Sequence, residues 1–393
     1  MIYVEFKDLV LKKIFTEVAK RFWGEWELRL LVVLSLILQL FLVISGYIRR
    51  KYIGKKLPYV AISVWLVYLS ADWMVTLVLT TLLRGDIRLK NDLVVFWTPF
   101  LLWHLGSPHN ITAYSLEDNE LWLRHFFGLV LQVGEAIYIY ARFRSKSNIP
   151  LNAMAVPILL AGVIKYGERI WALRCASDKQ LVNSFFSISD NKTDGGRKGI
   201  RTGLSTIKIN NLLKNKGVVP EVEFLREAYL SYIIFKPLFT DLPFRLSREF
   251  HDNMVYMRFK SAEEAFKFVD VELSFVYDLL FTKNPIQHRN LKVSLSLRGF
   301  CFLSVICSLI AFTAVLDMNQ HSPIDIAITY LLLIGAVSLD VYSFLMHVLS
   351  TWAMIRLPIP YTKVHKMYSM VVASRLQSIK AKSGIKVMAQ HDL

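Results

Sequence analysis

Apolar residues in this 393-residue chain are concentrated in seven stretches separated by polar segments. The stretches cover residues 30–48, 59–83, 93–105, 121–141, 150–171, 299–316 and 324–347. A helix of about 20 residues crosses the hydrocarbon core of a bilayer, and most of the stretches approach or exceed that length. The pattern predicts an all-α fold, a polytopic membrane helical bundle of about seven transmembrane helices with a cytoplasmic insert.

Two of the stretches fit this scheme less well than the others. Leu93–Leu105 has 13 residues, about 20 Å as a helix, whereas the hydrocarbon core is about 30 Å thick. Pro99 interrupts it, so it is either a short, kinked span or a re-entrant segment. The fifth stretch is continuously apolar only to Ile164. It must include several charged residues if it crosses the membrane completely.

The polar segments divide the chain into five parts. We expect an amphipathic N-terminal segment, a membrane domain with spans one to five, a cytoplasmic insert, spans six and seven, and a basic cytoplasmic tail. Within the insert, residues 190–220 have few aromatic residues and are predicted to be flexible. The five parts cover residues 1–27, 28–176, 177–298, 299–350 and 351–393.

The distribution of charge predicts how the chain is threaded. Lys and Arg exceed Asp and Glu by 47 to 31, a formal net charge of +16. Five of the cations fall in the short segment 49–56, and cytoplasmic loops are enriched in Lys and Arg. This enrichment places segment 49–56, the insert and the tail in the cytoplasm, and the N-terminus outside the cell or in a lumen. We expect an integral protein of the secretory-pathway or plasma membrane.

The positive charge also bears on the partners. Basic residues that are interleaved with exposed aromatic residues are typical of proteins that stack nucleic-acid bases, and this chain has no such stripe. We therefore expect no nucleic-acid partner. The expected partners are the lipid bilayer, anionic lipid headgroups and proteins that the sequence does not identify.

The loop 106–120 departs from this threading. It contains three acids and no Lys or Arg, yet seven spans place it in the cytoplasm. We expect its acids, Glu117, Asp118 and Glu120, to lie within reach of Lys165 and Arg169 near the cytoplasmic end of the fifth span.

Charged residues inside the apolar stretches are the first candidates for function. Asp72 and Asp340 lie within the second and seventh spans, where a carboxylate is costly unless it has a partner or a functional role. Lys165, Glu168 and Arg169 have helical spacing. They are either an intrahelical pair whose cations reach the headgroups or a charged gate at the cytoplasmic mouth.

A second group of candidates contains side chains that can bind metals. It comprises His104, His109, Glu117, Asp118, Glu120 and His125. Their spacing matches no known metal motif, so we interpret them as a hydrogen-bonded loop and expect neither a metal nor a cofactor. Since no complete catalytic motif is present either, an enzymatic role is not favoured.

Several strings of the sequence are similar to one family. They are Ala71-Asp72-Trp73, Phe96-Trp97-Thr98-Pro99 with the residues to 106, the residues 111–125, Lys165-Tyr166-Gly167-Glu168-Arg169 with 171–173, and the residues 272–278. In order and spacing they resemble a plant family of multi-pass membrane proteins known as domain of unknown function 4220. The resemblance implies location and architecture but no activity. Longer members of that family continue into a further C-terminal domain, which we do not expect in this chain.

Three functions remain open at this point. The first is a non-enzymatic membrane scaffold or signalling component that binds partners or anionic lipid through its insert and tail. The second is a transporter or channel that uses Asp72 and Asp340 along a polar path. The third is a membrane-embedded enzyme that modifies lipids with the histidines and acids of the loop.

Overall fold

The computed structural model of the chain describes nine ranges of residues. They are 26–46, 48–49, 58–84, 92–106, 111–143, 149–189, 220–236, 262–315 and 321–356. Three predicted features lie wholly or largely outside these ranges: the N-terminal segment 1–27, the connector 190–220 and the tail beyond residue 356. They stay predictions.

The described ranges contain fourteen helices and no β-strand, which confirms the all-α prediction. The first eight are α1 (Trp26–Gly46), α2 (Pro58–Arg84), α3 (Asp92–Phe96), α4 (Thr98–Gly106), α5 (Glu117–Glu120), α6 (Trp122–Phe143), α7 (Ile149–Ala176) and α8 (Asp178–Ser189). The other six are α9 (Pro220–Phe235), α10 (Ala262–Phe281), α11 (Asn284–Gln287), α12 (Leu291–Val315), α13 (Pro323–Val348) and α14 (Thr351–Arg356).

Four of these helices are long and apolar enough to cross a membrane. They are Trp26–Gly46, Tyr59–Leu83 within α2, Leu291–Val315 and Pro323–Val348. The helix α12 begins eight residues before the predicted sixth span, because its polar first turns continue the helix without adding to the apolar run. The helices α6 and α7 also have spanning length, 22 and 28 residues, but they contain more polar residues. The protein is an all-α helical membrane bundle, and the count of seven spans stays a prediction.

The chain folds as two compact units, each with its own core. The first contains residues 1–114, 122–171 and 292–344, and the second contains the remainder. In the first unit, α2, α4 and α6 pack against one another. Every residue from 93 to 106 is buried, so the third apolar stretch is enclosed by protein on all sides.

The third stretch is broken into two helices at Trp97. Pro99 accounts for the break, because it has no N–H with which to continue the hydrogen-bond ladder of α3, and it lies in the first turn of α4, where no such bond is needed. The Trp97 indole Nε1 donates to Thr329 Oγ1 of α13 at 2.8 Å. This bond fixes the break within the bundle and satisfies a polar group that is otherwise buried.

The second unit is built around aromatic side chains from three helices. Tyr232 of α9, Phe275 of α10 and Trp352 of α14 are almost fully buried, and their ring centroids lie 5.5–6.1 Å apart. The Trp352 indole donates to the carboxylate of Asp278 at 3.1 Å. Residues 228–235 form a short apolar run in the sequence, and in the structure they are the end of a 16-residue helix with a packed inner face.

Candidate functional site

Two ion pairs connect α7 with two helices of the first unit. Arg169 Nη1 lies 2.9 Å from Asp72 Oδ1 on α2, and Lys165 Nζ contacts Asp340 Oδ1 on α13. The two cations are four residues apart, so they lie on the same face of α7, one helical turn from each other. Each aspartate lies in a helix that can span a membrane, and each has a cation of α7 as its neighbour.

The Arg169 pair extends to α6 and to the end of α4. His125 Nδ1 lies 3.6 Å from Asp72 Oδ2, and Arg169 Nη1 is 3.4 Å from the carbonyl oxygen of Leu105. The Arg169 guanidinium carbon lies 5.3 Å from the ring centroid of Tyr68, within the range of a cation–π contact. Arg169 is therefore surrounded by groups that favour its charge, although only 3% of the residue is exposed.

Close packing of α4 against α7 brings Lys165 to its position. A Cβ atom built at Gly106 would overlap the backbone of Lys165 and Tyr166, and one built at Gly162 would lie 2.9 Å from the backbone nitrogen of Trp103. The two glycines thus allow the helices to approach more closely than any larger residue permits. Lys165 Nζ then lies 3.6 Å from the ring centroid of Trp103.

His104 and its neighbours make this part of the bundle polar. His104 Nδ1 lies 2.7 Å from Ser35 Oγ on α1 and is buried with it. Within the described part of the chain, Trp103 Nε1, His104 Nε2 and Asp340 Oδ2 are buried atoms that have no hydrogen-bond partner. The cluster around Lys165 therefore contains hydrogen-bond donors and acceptors that the Lys165–Asp340 ion pair does not use.

The acids of the loop 106–120 have different partners from those the sequence suggests. Asp118 Oδ2 accepts from the backbone N–H of Ser115 at 3.0 Å, and Glu120 Oε1 accepts from the N–H of Asp178 at 2.7 Å. The second bond places a carboxylate at the N-terminus of α8, where the helix dipole favours negative charge. These acids lie in the second unit, where Glu120 caps α8, whereas Lys165 and Arg169 pair with the two intramembrane aspartates.

Glu117 is exposed at the start of α5. A hydrogen bond from its own backbone N–H, followed by one from the Ser115 hydroxyl, lowers the pKa of its carboxyl. Glu168, the remaining member of the predicted α7 group, is half-buried and precedes Arg169. Of the eleven predicted candidates, His109 lies outside the described residues. The others separate into the α7 cluster, with Glu168 and His125 beside it, and the three acids of the loop.

A third ion pair has no counterpart in the sequence reasoning. Arg29 Nε and Nη2 lie 2.7 and 3.2 Å from the two carboxylate oxygens of Asp325, which is 1% exposed. Both residues lie at the ends of apolar stretches, where charged side chains are usually interpreted as exposed to solvent. A forked pair of this kind fixes α1 against the first turn of α13. Among the described residues, no group of three His, Cys, Asp or Glu side chains could hold a metal ion.

Comparison with known proteins agrees with the resemblance seen in the sequence. The family model described as Domain of unknown function (DUF4220) matches residues 65–393, and the chain belongs to this family. No curated protein and no solved structure matches it. The family description names no activity, so the function has to be argued from the two units themselves.

Proposed function

We propose that this member of the DUF4220 family is a non-enzymatic membrane scaffold. Its bundle serves as an anchor, and its insert and tail bind protein partners or anionic lipid headgroups. The observation that supports this proposal is the pairing of both intramembrane aspartates with cations of one helix, α7. In the proposed orientation the C-terminus is cytoplasmic and the N-terminus is outside or luminal, in a secretory-pathway or plasma membrane.

The energetics of burial favour a structural role for these pairs. A lone charged side chain at the bilayer centre costs about 2.5–3.5 kcal/mol or more. In the cluster the charges of Asp72 and Asp340 are balanced by those of Lys165 and Arg169, so their formal sum is zero. Buried pairs add little net stability, but the loss of one partner costs about 3–5 kcal/mol, because the other charge is left uncompensated. The pairs therefore specify how α2, α7 and α13 fit together.

The second unit supports the scaffold proposal in a different way. It has an aromatic core of its own, formed by α9, α10 and α14. A domain with its own core can present a fixed surface to a partner. The described part of the chain thus combines an ion-paired bundle with a separately folded helical unit.

A charge-swap experiment tests the structural role. Asp72→Asn should lower the yield of monodisperse protein in detergent and its melting temperature, because Arg169 is then buried without a counter-charge. The combined Asp72→Arg and Arg169→Asp variant should recover part of the loss. Arg124→Gln, at an exposed position of α6, is the control, and it should behave as wild type. If Asp72→Asn is as stable as wild type, the pair does not hold the bundle.

The second candidate function is a transporter or channel. The observation that favours it is the spare bonding capacity of Trp103 Nε1, His104 Nε2 and Asp340 Oδ2 inside the bundle. Polar groups at such positions can line the path of a proton or small polar solute. If Asp340→Asn gives folded protein in proteoliposomes but abolishes a proton flux that wild type supports, the transporter proposal replaces the scaffold proposal.

A further inference from the structure

One face of α10 in the second unit carries exposed apolar side chains. Phe266, Val269 and Leu273 are 57%, 47% and 51% exposed. They are spaced three and four residues apart and therefore lie on one side of the helix. Phe268 and Phe275, on the opposite side, are buried in the core of the unit. We call the three exposed residues the α10 outer stripe.

Two acidic residues of α10 flank the α10 outer stripe. By helical spacing Asp270, which is exposed, lies along one edge of the stripe, and Glu272, which is half-buried, lies along the other. The single cation of α10, Lys267, lies over the ring of Phe224 at 5.6 Å. In a chain with a net charge of +16, this face combines apolar area with negative charge. Its best complement is a basic, amphipathic segment.

The C-terminal tail of the same chain has that chemistry. Residues 357–393, which lie outside the described part, contain six Lys or Arg and one Asp. Apolar residues recur every three to four positions, and this spacing predicts an amphipathic helix. They are Val364, Met367, Tyr368, Val371, Val372 and Leu376. The cations Lys363, Lys366 and Arg375 fall beside these apolar positions.

The end of α14 makes the contact geometrically accessible. Trp352 of α14 packs on Phe275 with ring centroids 5.5 Å apart, so the tail starts beside α10. Phe266 is nine residues before Phe275, about 13.5 Å along the helix, and lies on the opposite side of a helix that is about 10 Å across. The seven residues 357–363 can span up to about 24 Å when extended. A segment that begins at Val364 can therefore lie along the α10 outer stripe.

We infer that residues 363–376 bind to the α10 outer stripe of the same chain and cover it. This inference rests on the proposed scaffold function, since it names what occupies the scaffold's surface when no external partner is bound. An anionic membrane is the less suitable occupant because the acids of this face repel anionic headgroups. Anionic headgroups attract the basic tail instead, so binding of the tail to lipid would uncover the stripe for a protein partner.

Photo-crosslinking in the full-length protein tests this inference. The three native cysteines, Cys175, Cys301 and Cys307, are replaced, and Val269→Cys is labelled with benzophenone maleimide in phosphatidylcholine nanodiscs. Mass spectrometry should locate the crosslinks in residues 363–376 of the same chain. Asn290→Cys, also exposed in the second unit, is the matched control and should give about fivefold fewer crosslinks to that segment.

Charge variants sharpen the test. Lys363→Glu with Lys366→Glu should reduce the crosslinks about fivefold, and the addition of Asp270→Lys should restore part of the yield. Phosphatidylserine in the nanodisc should reduce them as well. Crosslinks to lipid, to a second copy of the chain or to other segments would overturn the inference. The charge variants lie in α10 and the tail and change no residue of the ion-paired cluster. Failure here is therefore distinct from failure of the Asp72 and Arg169 charge swap, which tests the anchor.

Discussion

Replacing Gly106 by alanine should destabilise the bundle more than the same change at other helical glycines. A Cβ atom at this position overlaps the backbone carbon of Lys165 and the backbone nitrogen of Tyr166. Backbone atoms inside a helix cannot rotate away as a side chain can, so α4 and α7 must separate. Because Lys165 carries one of the ion pairs, that separation also disturbs its contact with Asp340.

The size of the effect follows from the packing. Overpacking of a buried site costs about 1–3 kcal/mol and sometimes more. In a helix interior, alanine stabilises the folded state by about 0.5–1 kcal/mol relative to glycine, and the gain is smaller at the last residue of α4. A net loss of about 2 kcal/mol corresponds to a fall of about 4–8 °C in the melting temperature of a unit of this size.

Other glycines of the first unit provide a graded comparison. At Gly162 the added Cβ lies 2.9 Å from the backbone nitrogen of Trp103, so the alanine variant should lose less than Gly106→Ala. At Gly134 and Gly167 an added Cβ would have no heavy atom within 4 Å beyond the backbone of its own helix, and alanine should be neutral or slightly stabilising. Melting of the purified variants in one detergent gives the order. If Gly106→Ala melts with Gly134→Ala and Gly167→Ala, the close approach of α4 and α7 is refuted.

Two further predictions concern the second unit. Glu117 is exposed, and seven spans place its loop in the cytoplasm. Glu117→Cys in a chain without its native cysteines should therefore react with an impermeant maleimide only after cells are permeabilised, and labelling of intact cells would place the loop outside. Burial, followed by the like charges of Glu223 and Glu264, raises the pKa of Glu227. The fold therefore favours its protonated form, and the associated stability is lost as pH rises from about 4.3 through the raised pKa. Glu227→Gln should narrow the difference in melting temperature between about pH 5 and pH 7.5, and an unchanged difference would contradict this.

The helices were predictable from the sequence where apolar residues form long runs. The second and seventh stretches correspond to α2 and α13 within a few residues. Periodicity alone did not decide between a span and a re-entrant segment for Leu93–Leu105, since a helix enclosed on all sides is apolar on every face. Its enclosure depends on the packing of α2 and α6, which no local pattern records.

The partners of the charged residues were not predictable in the same way. Asp72 and Arg169 are 97 residues apart in sequence, and Lys165 and Asp340 are 175 apart. The sequence shows which charged residues lie inside apolar stretches. It identifies the partner of such a residue only when both are neighbours on one helix. Lys165 and Arg169 were expected to face the acids of the loop because both groups were assigned to the cytoplasmic side. An unpaired carboxylate costs more free energy inside the membrane than in a loop, so the two intramembrane aspartates are the favoured partners of these cations.

Close packing and charge pairing converge on α7 for a physical reason. Apolar side chains have little preference for one helix over surrounding lipid, so apolar faces by themselves do not fix how membrane helices are aligned. Small residues contribute through close van der Waals contact, and paired charges contribute because a shift of one turn, about 5.4 Å, separates both partners. Gly162 and Gly106 bring α4 to α7, and Lys165 and Arg169 then align α13 and α2 with the same helix. A change that widens the glycine contact should therefore weaken the ion pairs, and their effects on stability should be non-additive in a double-mutant cycle of Gly106→Ala with Asp340→Asn.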